Sequence, residues 1–467
     1  MSLALLIDFG STYTKLRALD LSTCRIAASA QGPSTVTTDV NIGLDAALAS
    51  LSRSLGGMPR FAHRLACSSA AGGLKMVTVG LVRELTAEAA RQAALGAGAR
   101  LVGSFAYRLT AGDVARIIEH APDILLLCGG TDGGNSAVVL HNARALAASA
   151  LQCPVVVACN REAADEIVAT LVDADKSAIA TANVLPGLDV IDTEPARAAI
   201  RDIFMRRIVA AKGIERASAR FDQVLMPTPA AVLEGARLLA DGLPQRAGHG
   251  ALVVIDPGGA TTDVHSIGSG EPSQPGVIRY GLPEPYAKRT VEGDLGMRHN
   301  ATGIAAAAGV AAIAADSGLA ADATDAALAT LHMHVDRLPR DDAGARLDAA
   351  LVRAAIRIAM ARHAGTCETV YTSQGPVGVQ RGKDLSAVKL LIGTGGALAH
   401  ARDPASILAV ATARTEEPQS LRPIAPRLAI DREYLLYAAG LLAQVAPEAA
   451  FDIASAHLEF LEEGALS

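Results

Sequence analysis

The 467-residue sequence contains no tryptophan, and with 7 tyrosines and 7 phenylalanines its aromatic content is only 3%. Large rings supply much of the buried area in many cores. Here the core has to be assembled from Ala, Val, Leu and Ile, drawn from the 50% of residues that are apolar. Cysteine is sparse too. Cys24, Cys67, Cys128, Cys153, Cys159 and Cys367 include no C-x-x-C pair and no paired zinc spacing. Most lie in apolar runs, which reads as small buried hydrophobes in a reducing compartment rather than a disulfide framework. No Lys/Arg cluster is interleaved with aromatics, and the net charge is −6, so nucleic acid is not an expected partner. No apolar run reaches about 18 residues, the length that spans a membrane. The stretch from Met1 to Ile7 lacks a basic region and meets Asp8 too early for a signal peptide. The expectation is a cytoplasmic protein without a membrane partner.

What is present begins with length, which is too great for one ordinary core and suggests two α/β lobes with an insertion. The apolar run Ala251–Ile255 ends in Asp256 and turns through Pro257-Gly258-Gly259-Ala260 into Thr261-Thr262-Asp263. Glycines let backbone N–H groups approach an anion, hydroxyls add donors, and carboxylates can hold Mg²⁺ through its waters. The N-terminus repeats this chemistry: a strand from Leu3 to Asp8, then Phe9-Gly10-Ser11-Thr12-Tyr13-Thr14-Lys15 and a second strand over Leu16–Leu19. This pattern is strand, turn, strand. It is neither a P-loop, which needs G-K-[ST] opening a helix, nor a G-x-G-x-x-G dinucleotide turn. A phosphate-binding β-hairpin and a plain turn are the two readings open for it.

Between these loops, short strands and helices alternate from Thr86 to about Val184, as in a parallel, doubly wound sheet. The elements include a helix capped by Thr110, a strand over Ile124–Leu127 and a helix over Arg161–Val172. Cys128-Gly129-Gly130-Thr131-Asp132-Gly133-Gly134 follows one of the strands, as a ligand loop or a Gly-rich turn. A strand over Asp222–Met226 leads to a helix with Thr228 as N-cap and Pro229 in its first turn. Arg289–Arg298 carries charges of both signs in equal number and reads as a loop. Helices are expected over 301–315, 323–333 and 343–363. Strands over Thr369–Ser373 and Val388–Ile392 are joined by a Gly/Lys-containing loop, the second running into a third Gly-rich turn, Gly393-Thr394-Gly395-Gly396. Tyr434–Ala443 reads as a small-residue helix able to pack closely on another.

Three Gly-rich turns, each closing an apolar strand, with two small-residue helices, resemble the actin-like ATPase superfamily of sugar kinases, chaperone ATPases and bacterial actins. Position by position, Asp8–Lys15 resembles its first phosphate loop, Asp256–Asp263 its second and Gly393–Gly396 its adenosine motif. Pro229–Gly235 and Ala438–Ala443 resemble its two connecting helices. Over nearly the whole chain, I-D-F-G-S-T-Y-T-K, C-S-S-A-A-G-G-L-K-M, L-L-C-G-G-T-D-G-G, V-E-G-D-L-G-M-R, Q-R-G-K-D-L-S and L-I-G-T-G-G are similar to the glutamate mutase MutL (GlmL) family. That family is unrelated to the mismatch-repair protein of similar name.

The resemblance implies an α/β, ribonuclease H-like fold in two lobes: 1–85, an inserted α/β domain at 86–190, the first lobe again at 191–243, a second lobe at 244–432, and a return at 433–467. It implies ATP and Mg²⁺ as cofactors. Asp8, Asp256 and Lys15 would be catalytic. Gly10, Ser11, Thr12, Thr14, Gly258, Gly259, Ala260, Thr261, Thr262, Gly393, Thr394, Gly395 and Gly396 would contact the nucleotide, and Asp8, Asp256 and Asp263 would hold the metal. The implied role is a chaperone-like accessory or reactivating protein for an adenosylcobalamin-dependent mutase, such as glutamate mutase or an aminomutase, by analogy with diol dehydratase reactivating factors. Mutase subunits are the implied partners, with a homodimer as a further arrangement to test. A small-molecule kinase and a non-catalytic nucleotide-binding scaffold are the alternatives. Pro257 and Ala260 depart from related loops and narrow their backbone choices without removing an oxygen ligand.

Overall fold

Leu3–Phe9 (β1) is apolar except at Asp8 and buried along its whole length, the pattern of a strand covered on both faces in the middle of a sheet. β2 (Tyr13–Asp20) pairs antiparallel with it, and β3 (Arg25–Pro33), largely alternating exposed and buried, pairs antiparallel with β2 at the edge. α1 (Val40–Leu55) opens with the Asp39 carboxylate accepting from the Asn41 amide and closes at Gly56, whose φ of 69° suits a residue without Cβ. β4 (His63–Ser68) then lies parallel to β1 on its other side. The computed structural model describes residues 2–10, 13–35, 39–68, 74–188, 190–211, 220–335, 339–373 and 375–461. The chain divides into two units, Met1–Ala231 with Gly281–Pro283 and Val232–Tyr280 with Glu284–Ser467.

Still in the first unit come β5 (Leu74–Gly80), α2 (Thr86–Gly96), β6 (Ala99–Ala106), α3 (Ala111–Glu119), β7 (Ile124–Leu127), α4 (Ala137–Ala147), β8 (Val155–Val157), α5 (Arg161–Val172) and β9 (Ala178–Ala180). Their strands are all parallel in the order β6-β5-β7-β8-β9, a doubly wound sheet. It begins at Leu74, ahead of Thr86. α3 carries the expected Thr110 cap as a reciprocal box with Asp113. α6 (Glu194–Ala211) and β10 (Gln223–Pro227) return the chain to the first sheet, whose order is β10-β4-β1-β2-β3. α7 (Thr228–Asp241) follows.

The second unit continues with a short hairpin, β11 (Gly242–Leu243) and β12 (Arg246–Ala247), then β13 (Leu252–Pro257), β14 (Thr262–Ile267), β15 (Val277–Tyr280) and β16 (Ala287–Glu292). The helices α8 (Ala301–Ala308), α9 (Val310–Ser317), α10 (Ala321–Met333) and α11 (Asp342–His363) come next, followed by β17 (Thr366–Thr372), β18 (Gly375–Arg381), β19 (Leu390–Gly393), α12 (Gly396–Ala399), α13 (Pro404–Ala409), β20 (Arg427–Ile430), α14 (Leu436–Leu442), α15 (Pro447–Ala456) and β21 (Glu459–Phe460). Its main sheet runs β16-β14-β13-β19-β20-β21. β13 has two antiparallel strands on one side and the parallel β19 and β20 on the other, which is the plan around β1 repeated. This duplication, with a doubly wound insertion between β4 and β10, is the actin-like ATPase fold.

The structure corrects three local expectations. The first four residues of Arg289–Arg298 are not loop but the end of β16, paired with β14. The Gly/Lys-containing connection before Val388 holds β18, which pairs with β17 and β15 in a separate three-stranded sheet, so β17 and β19 belong to different sheets. The alanine-rich helix expected over 301–315 is broken at Gly309, where φ is 88°. The small-residue helix α14 does pack closely on α7. A Cβ on Gly235 would collide with the Leu436 carbonyl and come within 3.3 Å of the Gly440 amide, so the two backbones touch.

Candidate functional site

The β1–β2 and β13–β14 hairpins share one plan. Phe9 pairs with Thr14 and Pro257 with Thr262, so four residues cross each tip. Asp8 and Asp256 stand two residues before Gly10 and Gly258, in the last but one pair of each ladder, and the residues facing them are Lys15 and Asp263. Gly10 and Gly258 begin the two turns. A Cβ on Gly10 would sit 2.6 Å from the Tyr13 carbonyl oxygen, so only glycine fits there. Ser11 and Thr12 lie outside the described residues. Thr14 and Thr262 are fully buried, and the Thr262 hydroxyl donates to the Leu295 carbonyl at 2.7 Å.

In the first hairpin Asp8 is 4% exposed. Its Oδ1 accepts from the Thr228 hydroxyl at 2.6 Å and the Cys67 thiol at 3.6 Å, while Oδ2 lies beside Gly10. Cys67 occupies the β4 position that faces Asp8 across the ladder. Burial, with Asp8 alongside, pushes the Cys67 thiol well up, so it stays a protonated donor. Thr228, expected as a cap, is the first residue of α7 and turns its hydroxyl on Asp8. Neither role is visible in a linear reading, because Cys67 reaches Asp8 only when β4 lies beside β1, and Thr228 only when β10 lies beside β4.

The second hairpin is braced from one side. Its Gly258 amide donates across the tip to Thr261 O at 2.8 Å. The Gly258 carbonyl accepts from the Met297 amide, the Gly259 carbonyl from the Arg298 and His299 amides, and the Ala260 carbonyl from the Asn300 side chain at 3.2 Å. Gly296 allows this approach, since a Cβ there would collide with the Ala260 carbonyl. A trans peptide directs its N–H opposite to its C=O. With those three carbonyls turned toward 297–300, the amides of Gly259, Ala260 and Thr261 turn the other way, and among the described residues none of the three has a backbone acceptor. Convergent amides of this kind form an anion-binding nest.

Ion pairs anchor the bracing segment to α11. Arg362 holds Glu292 at 2.6 Å and Asp294 at 2.8 Å, and Arg298 holds Asp348 at 2.5 Å. The mixed charges of V-E-G-D-L-G-M-R were the sequence signal for this clamp. Their partners, Asp348 and Arg362, were not readable.

Asp263 is differently engaged from Asp256. Its Oδ1 takes Arg289 Nε at 2.9 Å and Nη2 at 2.5 Å, and its Oδ2 takes the Thr261 hydroxyl at 2.9 Å. Both members of this pair are buried. Asp256 is partly exposed and lies over the third Gly-rich turn, where Gly395 has φ 87° and a Cβ would collide with Asp256 Oδ1. Thr394 donates its amide to Ile255 O at 2.9 Å and its hydroxyl to Asp431 Oδ2 at 3.2 Å. Asp431 also accepts the Leu435 and Leu436 amides at the start of α14, linking this turn to the helix. Gly393 makes room for the Ile430, Leu398 and Leu408 side chains, and a Cβ on Gly396 would lie 3.0 Å from the Tyr434 hydroxyl. The second unit thus gathers Asp256, Gly258–Thr262 and Gly393–Gly396 at adjoining strand ends, and the first gathers Asp8, Gly10 and Lys15.

Magnesium prefers hard oxygens and retains several waters. Asp256, with an oxygen over a glycine that no Cβ fills, fits such an ion through water, as does the Oδ2 of Asp8. Asp263 does not fit as well, since both of its oxygens are already engaged.

His265, next along β14, is fully buried, and its Nδ1 has no partner among the described residues. Burial, aided by Arg289 and opposed by Asp263, holds its pKa down to about 3. The folded value lies below the ordinary 6.5, so the unfolded chain binds the extra proton. The stability this ring contributes is complete above pH 6.5 and is lost as pH falls toward 3. Urea midpoints measured from pH 7 to 4 should drop with a share of about 1.4 kcal/mol per pH unit from this one group. His265→Leu should flatten the profile by that share, and an unchanged slope would refute it.

Comparison with known proteins matches residues 4–458 to the family model described as MutL protein. "Protein MutL" of Clostridium tetanomorphum is 45% identical over 462 residues, covering 98% of this chain and 99% of that one. Similar solved structures include xylulose kinase from Bifidobacterium adolescentis (13% identity, 98% and 95% of the two chains, TM-score 0.34) and a glycerol dehydratase reactivase (10% identity, 95% and 99%, TM-score 0.31). The chain belongs to the MutL (GlmL) family.

Proposed function

We propose that this protein binds and slowly hydrolyses ATP as a chaperone-like accessory of an adenosylcobalamin-dependent mutase. The observation that carries the nucleotide part is the second hairpin, whose three carbonyls are all drawn to 297–300, leaving the amides of Gly259, Ala260 and Thr261 as a cradle for phosphate oxygens. The first hairpin has the same plan, with Lys15 in place of Asp263 to neutralise phosphate charge. The mutase part rests on membership of the family and on the resemblance drawn from the sequence.

In this reading Asp8 in the first unit and Asp256 in the second are the carboxylates that would each offer oxygens to hydrated Mg²⁺, which when bound would supply charge neutralisation to phosphate oxygens. Asp256 also orients the attacking water. Thr228 and Cys67 fix the Asp8 carboxylate by donating to one of its oxygens, leaving the other beside Gly10. Asp263 is assigned to holding Arg289 and Thr261 rather than to metal. Phosphoryl transfer of this type depends mainly on positioning and electrostatics, so turnover can be slow and still drive a switch.

Purified protein mixed with ATP and Mg²⁺ should release phosphate without any added acceptor, followed by a coupled phosphate assay. Release only with an added alcohol or acid would make it a kinase, and binding without release a scaffold. Pull-down from cells grown with cobalamin, with and without a non-hydrolysable ATP analogue, should recover mutase subunits in a nucleotide-dependent manner.

A further inference from the structure

The small sheet β15-β18-β17 ends in an edge that, beyond the Thr366–Ser420 bridge at its start, no described strand covers. In β17 the residues Glu368–Thr372 are all exposed, Val370 by 45% and Tyr371 by 84%. The strand is rich in β-formers, and this stretch has no proline, lysine or bulge, the devices by which soluble proteins normally protect an edge. One sheet face beside it carries an apolar patch bordered by Glu368 and Arg381. The ladder registers put Ile278 beside Val379 and Val370 beside Val377, and Tyr280 on the same face lies under the Arg381 guanidinium at 4.0 Å.

Which backbone groups of β17 point outward follows from its start. The Cys367 amide donates away from β18, to Gln419 O at 2.8 Å. Ladder partners alternate along a strand. Thr369 and Tyr371 therefore also aim their N–H and C=O groups at the open edge, while Glu368, Val370 and Thr372 bond to β18.

We propose that this edge pairs antiparallel with the same strand of a second copy of the chain, about a twofold axis at Val370. A twofold axis fixes the sum of paired residue numbers, and only one register uses the free groups. Centring on Thr369 would require Cys367, whose amide is already taken. Centring on Tyr371 would run Thr369 into the turn at Ser373. Centring on Val370 makes Thr369 and the partner subunit's Tyr371 a doubly hydrogen-bonded pair, and Tyr371 and the partner subunit's Thr369 another. Val370 meets the partner subunit's Val370 as the close, non-bonded pair, with Cα atoms about 4.5 Å apart. The charges agree with this register: the strand's one ionised residue, Glu368, falls opposite the partner subunit's Thr372 rather than its own copy. The result is an isologous six-stranded sheet whose valine patch is continuous across the axis.

The test is sedimentation of the full chain. Wild type should sediment as a dimer, and Thr369→Pro should halve the sedimenting mass, because the lost N–H points outward and the β17–β18 ladder survives. Val370→Lys, which sets two like charges face to face, should do the same. Val370→Cys should yield a dimer cross-linked by a reducible disulfide, since its Cα separation suits one, whereas Thr369→Cys should not. The Val370→Cys result does not depend on the folding of the proline variant. A wild-type monomer at all concentrations, dimers that persist in Val370→Lys, or absence of the Val370→Cys cross-link would each overturn the proposal. So would an edge filled only by a strand from another protein.

Discussion

Asp256→Ala and Asp8→Ala are each expected to lower ATP turnover by at least about 10²–10³-fold, the scale on which removal of one preorganised electrostatic group acts. The larger loss is expected at Asp256, which is partly exposed over the Gly395 turn and is given both metal water and attacking water. Asp8 requires a second variant, because its oxygen also satisfies Thr228 and Cys67. Removing that acceptor leaves buried donors unpaired, at about 1–3 kcal/mol. Asp8→Asn keeps the acceptor and removes the charge. Low turnover in Asp8→Asn with an unchanged melting curve would assign the loss to chemistry. Turnover at the wild-type rate in both Asp256→Ala and Asp8→Asn would remove the assignment.

Asp263→Ala should behave differently. It takes away the buried carboxylate that Arg289 pairs with, and breaking a buried pair by removing one member costs about 3–5 kcal/mol. The expected result is a marked fall in the urea midpoint. Replacing both members with apolar residues of similar size, as in Asp263→Leu with Arg289→Met, should recover most of it, because desolvation of the pair nearly cancels its attraction. A metal ligand would give the opposite pattern: little change in stability, lost Mg²⁺-dependent turnover, and no recovery in the double variant. The choice between ion pair and metal ligand therefore rests on one measurement of stability and one of activity.

The parts of this site that were legible in the sequence are those whose cause is local. Leu3–Asp8 and Ala251–Ile255 read as strands because every position is apolar up to the aspartate, and each loop read as a turn because Gly10 and Gly258 follow two residues after it. The Thr110 cap was legible for the same reason, since its partner Asp113 lies three residues away. Legibility failed where an element is defined by its neighbour. β18 contains two glycines and a proline and shows no apolar alternation strong enough to identify it, yet it is the centre of its sheet because β15 and β17 flank it. β16 was hidden by its charges, Lys288, Arg289 and Glu292, which are tolerated in a strand because Glu284, Asp263 and Arg362 answer them.

By itself the sequence determined the two Asp-Gly hairpins, the third Gly-rich turn and the family, since each is carried by contiguous residues whose backbone demands are short-range. Only the tertiary structure decided what each carboxylate does. Asp8 meets a hydroxyl 220 residues away and Asp263 a guanidinium 26 residues away, while Asp256 stays partly exposed. Three aspartates on similar loops differ because strand order, not loop composition, chooses which side chains lie across from them and how deeply each carboxylate is buried.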